Sequence, residues 1–360
     1  MKRTRRVKVV TGLKCNIRCV FCYYQDNLNA PNRSVEEIAL DLKYAFSEGV
    51  REVDFSGGEP TVHKDLPGLI SLAKEIGMER VCIISNGWRL AEKKYFESLI
   101  QVGLDEVLFS VHGPDEESHD TLTATPGSFA RILEAMAIAK QLGVTIRTNS
   151  VVNRINFKKL QQLGELVAGY NPDQVNFITI NDWCYAKNII GNLMVSYVEM
   201  KPHLQHVCNY LDPLVQAVNV RYIPFCFMQG DEKFVCDHRQ VPFDRYEWVP
   251  HVRCQLEQQN GFLRYLAILA YGLVVGGVWR KMLVQPFSLT LDDCVTEGLR
   301  SRFYLKGSEC NSCRFFELCD GVEKTYAKEY GITELVPVAG EKLADPLFYR
   351  RKKYESIDEH

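Results

Sequence analysis

Two hydrophobic rhythms alternate along the first half of the chain. Short runs rich in Val, Ile and Phe occupy Val7–Thr11, Glu52–Phe55, Val81–Ser85, Glu106–Val111, Thr145–Val152 and Gln174–Ile180, and such residues suit a pleated, buried strand. Between them, Val35–Ser47, Leu66–Ile76, Ala91–Gln101, Phe129–Gln141 and Lys158–Val167 place apolar residues three and four apart, the spacing of one helix face. Gly49, Gly77, Gly103, Gly143 and Gly169 follow these stretches, where a helix end wants a left-handed residue. Six strands alternating with helices predict an α/β fold of consecutive βα units, a parallel sheet covered by helices. A sheet of this kind carries its chemistry at the carboxyl ends of its strands. Cys15, Cys19 and Cys22 follow the first strand, Gly57-Gly58-Glu59-Pro60 the second and Asn86-Gly87 the third, and Ser110-Val111-His112-Gly113 closes the fourth.

The alternation stops after Ile180. Asn181–Asn192 reads as a polar loop and Tyr197–Gln216 as a helix, while residues 221–254 are irregular. Phe262–Trp279 reads as a β-hairpin turning near Tyr271-Gly272, and a charged helix is expected around Glu323–Tyr330. We expect a core over residues 1–230, a smaller domain over 231–335 and a tail over 336–360.

The composition is that of an ordinary globular chain of 360 residues, 46% hydrophobic and 24% charged. With 43 basic against 45 acidic residues the net charge is -2, so no global field recruits nucleic acid or an anionic membrane. No apolar segment follows the opening MKRTRR as a signal peptide requires, and the apolar run Tyr265–Trp279 is broken by Gly272, Gly276 and Gly277. These features predict a cytoplasmic protein that neither spans a membrane nor binds nucleic acid. Thirteen cysteines change the picture. In a long chain without an export signal they read as metal ligands or redox groups rather than disulfides.

Cys15-x3-Cys19-x2-Cys22 lies on the loop after the first strand. Three thiolates there can converge on one metal centre and leave it a ligand short, whereas structural zinc closes all four positions. A cubane iron–sulfur cluster held this way exposes one iron to an outside ligand. With Phe21 before the last cysteine and Gly57-Gly58-Glu59-Pro60 after the second strand, the sequence resembles the radical S-adenosylmethionine (SAM) superfamily over about residues 6–180. The resemblance implies a partial (β/α)6 barrel, a [4Fe-4S] cluster on Cys15, Cys19 and Cys22, and SAM chelating the open iron through its amino and carboxylate groups. It implies that an electron from the reduced cluster cleaves SAM to methionine and a 5′-deoxyadenosyl radical, which takes hydrogen from an unactivated C–H bond. It also implies that the backbone of Gly57, Gly58, Glu59 and Pro60 receives the methionyl amino group and that Ser110 contacts the nucleoside. Arg147 and Asn149, on the fifth strand, are candidate SAM contacts by placement, the alternative being a salt bridge inside the barrel. Relatives with Ser-x-Asp-Gly and His-Asp-x-x-Arg differ here, since His112 replaces the acid and Thr123 the arginine.

Cys310-x2-Cys313-x5-Cys319 resembles the core of the SPASM/twitch extension, which implies an auxiliary [4Fe-4S] cluster. Glu323 stands where that pattern continues with cysteine and Gly277 where a cysteine follows the hairpin, so one auxiliary cluster is expected rather than two. Its fourth ligand is expected to be Cys294, Cys254 or a non-cysteine group, with an open iron for substrate as a further arrangement and structural zinc as the alternative chemistry. Cys82 and Cys208 read as core packing, and Cys226 and Cys236, which flank Met228-Gln229-Gly230, as unligated, with spare ligands of the auxiliary cluster as the alternative. Cys184, after the sixth strand, is a candidate hydrogen donor to a substrate radical, with Trp183 and Tyr185 as candidate pocket walls.

The expected function is radical SAM chemistry on a small molecule, such as a sugar, nucleoside or amino-acid derivative, with the auxiliary cluster assisting redox or substrate binding. Maturation of a ribosomally made peptide is the alternative; the 14 residues before Cys15 leave no room for a leader-binding module. A non-catalytic iron–sulfur or zinc protein is the third reading, against which the cysteine triad and Gly57-Gly58-Glu59-Pro60 are both whole. The resemblance implies a reducing partner such as flavodoxin or ferredoxin.

Overall fold

The structure, a computed structural model, describes residues 6–22, 24–25, 28–47, 49–180, 190–236, 301, 303–345 and 348–349. The chain divides into two compact units, one over Arg5–Arg221 and the other taking in Tyr222–His360.

The first unit is an open half-barrel of seven parallel strands. They are β1 (Arg6–Val10), β2 (Glu52–Ser56), β3 (Arg80–Ser85), β4 (Glu106–Ser110), β5 (Thr145–Val152), β6 (Gln174–Thr179) and β7 (Ala217–Arg221). Each strand pairs with the next in sequence, as a chain of βα units wound in one direction requires. The sequence pattern predicts six of them. β7 escapes it because five residues with only Val218 and Val220 as β-formers run on from a helical stretch, which ends at Leu211 rather than Gln216.

The connecting helices are α1 (Val35–Ser47), α2 (Leu66–Ile76), α3 (Lys93–Gln101), α4 (Glu116–Thr123), α5 (Ser128–Gln141), α6 (Leu160–Ala168), α7 (Ile190–Leu193) and α8 (Tyr197–Leu211). α1 starts on a reciprocal box: Glu37 N–H donates to Ser34 Oγ (3.2 Å) and Ser34 N–H to Glu37 Oε2 (2.8 Å), which satisfies two of the unpaired amides of a helix start. α4 is absent from the periodicity because its sequence, EESHDTLT, carries a single large aliphatic residue. Asp115 caps it by accepting from Ser118 N–H at 2.8 Å. Gly49, Gly77, Gly103 and Gly143 are left-handed as expected, but Gly169 is right-handed. There the chain makes one more turn, and Asn171 takes the left-handed conformation at φ +52°.

Strand alternation gives the sheet two unlike faces. One carries Val9, Val53, Phe55, Ile83, Phe109 and Phe177, all fully buried, with α1, α2, α5 and α8 packed on the strands; burying each aromatic contributes about 1.5–3 kcal/mol. The register places Arg6, Asp54, Cys82, Glu106, Arg147 and Asn176 on the other face. Arg6 pairs with Asp54 (2.5 Å), Glu106 (3.0 Å) and Glu52 (2.7 Å), and Arg147 with Asp54 (2.8 Å) and Glu106. Burial pushes the Asp54 carboxyl up, but Arg147 and Arg6 outweigh it and hold the group below the usual carboxylate range. Cys82 is buried, as expected, yet it sits among these ions, and its Sγ accepts from Arg147 at 3.2 Å.

In the second unit, β8 (Tyr304–Leu305) pairs antiparallel with β9 (Val322–Glu323), and α9 (Lys324–Tyr330) follows. Glu323 caps α9, its Oε2 accepting from Thr325 N–H (2.9 Å) and Tyr326 N–H (3.1 Å). The position where the extension pattern calls for a cysteine is thus a helix cap. The expected hairpin over Phe262–Trp279 lies outside the described residues. No helix among the described residues is long and apolar enough to cross a membrane.

Candidate functional site

The loop carrying Cys15, Cys19 and Cys22 is held on three sides, twice by backbone and once by side chains. Gly12 and Lys14 carbonyls accept from Gly58 N–H and Glu59 N–H, both at 2.9 Å. Arg18 N–H and Val20 N–H donate to Thr123 O (3.2 Å) and Leu122 O (2.9 Å), the unpaired carbonyls at the end of α4. After β3, Asn86 Nδ2 donates to Asn16 Oδ1 at 2.8 Å. The two glycines are demanded by this docking. A Cβ on Gly57 would lie 2.0 Å from Gly12 O, and one on Gly58 2.2 Å from Lys14 O, so any side chain there would push the cysteine loop off.

Glu59 ties this assembly together. Its Oε1 accepts from Thr61 N–H (3.1 Å), Thr61 Oγ1 (2.7 Å) and Ser85 Oγ (2.9 Å), and its Oε2 from Asn86 N–H (2.7 Å). The carboxylate is buried, and burial raises its pKa despite the Asn86 and Thr61 donors. It positions the loops after β2 and β3 through its side chain, while the carbonyls of Gly57 and Gly58 accept no hydrogen bond from any described residue. Two backbone acceptors on the segment that docks the cysteine loop are therefore left for an incoming donor.

The three thiols interact with one another. Burial pushes Cys15 up to about 11, with Glu59 and Cys22 adding to the rise; burial, Cys22 and Cys15 raise Cys19; and burial raises Cys22, against an N–H from Tyr24 at 3.4 Å. Groups so placed give up their protons to a metal. A tetrahedral zinc ion draws its sulfurs to roughly 3.8 Å apart, from Zn–S bonds of about 2.3 Å. The three sulfurs do not all lie within 4.8 Å of one another; among the described residues only Asp54, Cys82 and Glu106 meet that spacing. The loop fits a larger centre than one ion.

Residues 9–167 match the Radical SAM superfamily. The chain carries a radical SAM domain. Over 169 residues it is 31% identical to a probable GTP 3',8-cyclase of Sulfolobus acidocaldarius, covering 46% of this chain and 53% of that protein. Over 261 residues it is 25% identical to a probable GTP 3',8-cyclase of Methanococcus maripaludis, covering 70% and 80%. The chain thus spans about half the length of the first of these relatives. Two solved structures share the fold: Streptococcus suis SuiB bound to precursor peptide SuiA (TM-score 0.51, 15% identity, 59% of this chain and 47% of that one) and the FeFe-hydrogenase maturase HydG of Carboxydothermus hydrogenoformans (TM-score 0.51, 12% identity, 64% and 58%). A radical SAM family site takes a [4Fe-4S] cluster and SAM, and the donor set above fits that pair.

Within the radical SAM domain, Ser110 closes β4 and is the register partner of Asn149, the fifth of the eight residues of β5, and both are half-buried. Arg147 lies two residues earlier and is engaged in the ion network. Cys184 lies outside the described residues, as do Trp183 and Tyr185.

His112, which stands in place of the acid, is buried against Phe21, ring centroids 4.7 Å apart and edge-on. Its Nδ1 accepts from Val151 N–H (3.3 Å), and His119 Nδ1 accepts from His112 N–H (3.2 Å), so in both rings the proton sits on Nε2. Burial, with His119 nearby, holds His112 well below the usual histidine range. Burial lowers His119 to about 4, against Asp120. Their unfolded values lie near 6.5. The unfolded chain therefore binds more protons between those limits, and stability falls as pH drops from 6.5 towards 4, by about 3 kcal/mol for His119. Denaturation midpoints measured across that interval are expected to fall less steeply in His119→Asn, which keeps an acceptor in the Nδ1 position.

In the second unit, Cys310, Cys313 and Cys319 line one cavity. Cys226, read from the sequence as unligated, lines the same cavity. It stands more than eighty positions from the other three along the chain, so no sequence spacing ties it to them. Cys236 is buried and does not line that cavity. Cys254 and Cys294 lie outside the described residues.

Proposed function

We propose that this chain binds a [4Fe-4S] cluster on Cys15, Cys19 and Cys22, reductively cleaves SAM, and abstracts hydrogen from an unactivated C–H bond of a small molecule. The observation that carries the reading is the docking of the three-thiol loop on Gly57-Gly58-Glu59-Pro60, whose Gly57 and Gly58 carbonyls accept no hydrogen bond from any described residue. When bound, the cluster and SAM supply an electron and a 5′-deoxyadenosyl radical. The chain's own residues do the rest. Cys15, Cys19 and Cys22 would hold the cluster, the Gly57 and Gly58 carbonyls would receive the methionyl amino group, and Glu59 fixes the loop that presents them. Ser110 and its register partner Asn149 would face the nucleoside. His112 and Phe21 close the floor beside the cysteine loop and, being uncharged, help exclude water from the reacting centre.

The curated relatives are named for a reaction on GTP, which supports a nucleoside or nucleotide among the small-molecule classes. A protein reductant such as flavodoxin or ferredoxin supplies the electron. Anaerobic incubation with SAM, dithionite and panels of nucleotides, sugars, amino acids and short peptides tests the reading. At least one small molecule is expected to raise 5′-deoxyadenosine formation tenfold or more over the basal rate. Stimulation by peptides alone would overturn the substrate class, and no SAM cleavage under any condition would overturn the activity.

A further inference from the structure

The second unit contains a complete set of four thiols in one cavity, although the sequence motif supplies three. Cys310, Cys313 and Cys319 sit on a 3-10 turn (Ser308–Ser312) and the loop after it. Cys226 sits on another 3-10 turn (Phe225–Met228). The Phe225 and Phe315 rings pin the two segments together, stacked with centroids 4.5 Å apart and planes 12° from parallel. Each aromatic is adjacent to the cysteines or lies between them in sequence, so the stack fixes where Cys226 meets the other three.

The thiols are already furnished with amide donors. Val336 N–H bonds Cys226, Val338 N–H donates to Cys313 Sγ at 3.4 Å and Gly321 N–H to Cys319 Sγ at 3.3 Å. The segment over Val336–Val338 thus stitches the upstream cysteine to the motif. N–H groups aimed at sulfur stabilise the thiolate form and tune iron–sulfur centres. Lys306 lines the same cavity, held by Phe316 O at 2.6 Å with its ammonium 4.4 Å from the Phe316 ring centre; it offsets part of the charge that four thiolates bring.

The spacing of the sulfurs bears on the choice between one ion and a cluster. No three of the four sulfurs lie within 4.8 Å of one another, wider than the roughly 3.8 Å of a zinc tetrahedron.

We propose that Cys226 is the fourth thiolate of the auxiliary site, which with Cys310, Cys313 and Cys319 holds a fully protein-ligated [4Fe-4S] cluster. A cluster closed by four thiolates offers no corner to a substrate. The auxiliary centre is then confined to electron transfer and to stabilising its unit, and the substrate is bound elsewhere. On this reading the site needs neither Cys254 nor Cys294 as a ligand.

The ligand assignment is tested without turnover, so its failure is distinguishable from failure of the radical SAM reading. In a Cys15→Ala/Cys19→Ala/Cys22→Ala chain, anaerobically reconstituted, about four irons and four sulfides per chain are expected to remain. Adding Cys226→Ala is expected to cut that iron at least fourfold or leave a three-iron cluster visible by EPR. Adding Cys254→Ala or Cys294→Ala is expected to leave it unchanged. Cys226→Ser, which keeps size and an oxygen ligand, is expected to retain the fold by circular dichroism and to shift the EPR spectrum of the reduced cluster. An unchanged spectrum in Cys226→Ser, loss of iron with Cys254→Ala or Cys294→Ala instead, or one zinc per chain in place of iron would each overturn the proposal.

Discussion

Replacing Cys22 with alanine is expected to bring 5′-deoxyadenosine formation to background, with iron and sulfide falling by about one cluster. The physics is unforgiving because the site has no spare ligand. The loop holds three thiols, and the open corner that makes SAM binding feasible also means that losing one thiolate leaves two corners unprotected. Within hydrogen-bond reach, the Cys22 sulfur has the Tyr24 amide at 3.4 Å, and no described side chain stands ready to replace it. Cys208→Ala, a fully buried cysteine of α8, is the matched control and is expected to keep both iron and SAM cleavage. Full SAM cleavage by Cys22→Ala would remove the assignment of the first site.

Arg147→Met is expected to destabilise the first unit by about 3–5 kcal/mol, because it leaves Asp54 and Glu106 buried with one cation fewer. A urea titration reads this as a lower midpoint. The double variant Arg147→Met/Asp54→Asn is expected to recover part of the loss, since it removes the uncompensated charge along with the cation. The same pair of measurements separates two roles that the sequence leaves open. If Arg147 is held for stability, SAM affinity of the folded variant stays within about twofold of the parent, while Asn149→Ala, two residues nearer the strand end, weakens SAM binding without a large change in midpoint. A variant at Arg147 with normal stability and lost SAM affinity would reverse the assignment.

Much of the molecule was legible before any coordinates. Val/Ile/Phe-rich runs and the helical spacing of apolar residues located six strands and six helices of the first unit because each strand buries one strongly apolar face. What the patterns missed has physical causes. β7 is short and begins only a few residues after a helix, and α4 starts on the Asp115 cap and lacks an apolar stripe. The cysteine loop and its glycine partner were readable as a pair, because chemistry fixes the residue types at both. The reason for the glycines was not readable, since it lies in a 2.0–2.2 Å clearance to backbone carbonyls more than forty residues earlier in the chain. Arg147 illustrates a limit of placement alone. The strand assignment put it on the inner face, but only the register shows two carboxylates waiting there. Cys226 marks the same limit in the second unit, where a tertiary contact, the Phe225–Phe315 stack, does what sequence spacing does for the other three cysteines.

The central claim is that Cys15, Cys19 and Cys22 hold a cluster with one corner reserved for SAM. EPR of the dithionite-reduced chain, recorded with and without SAM, addresses it directly. SAM is expected to shift the signal of one cluster, and that shift is expected to vanish in Cys22→Ala. A spectrum that SAM leaves untouched, or a single zinc ion at the first site, would contradict the account.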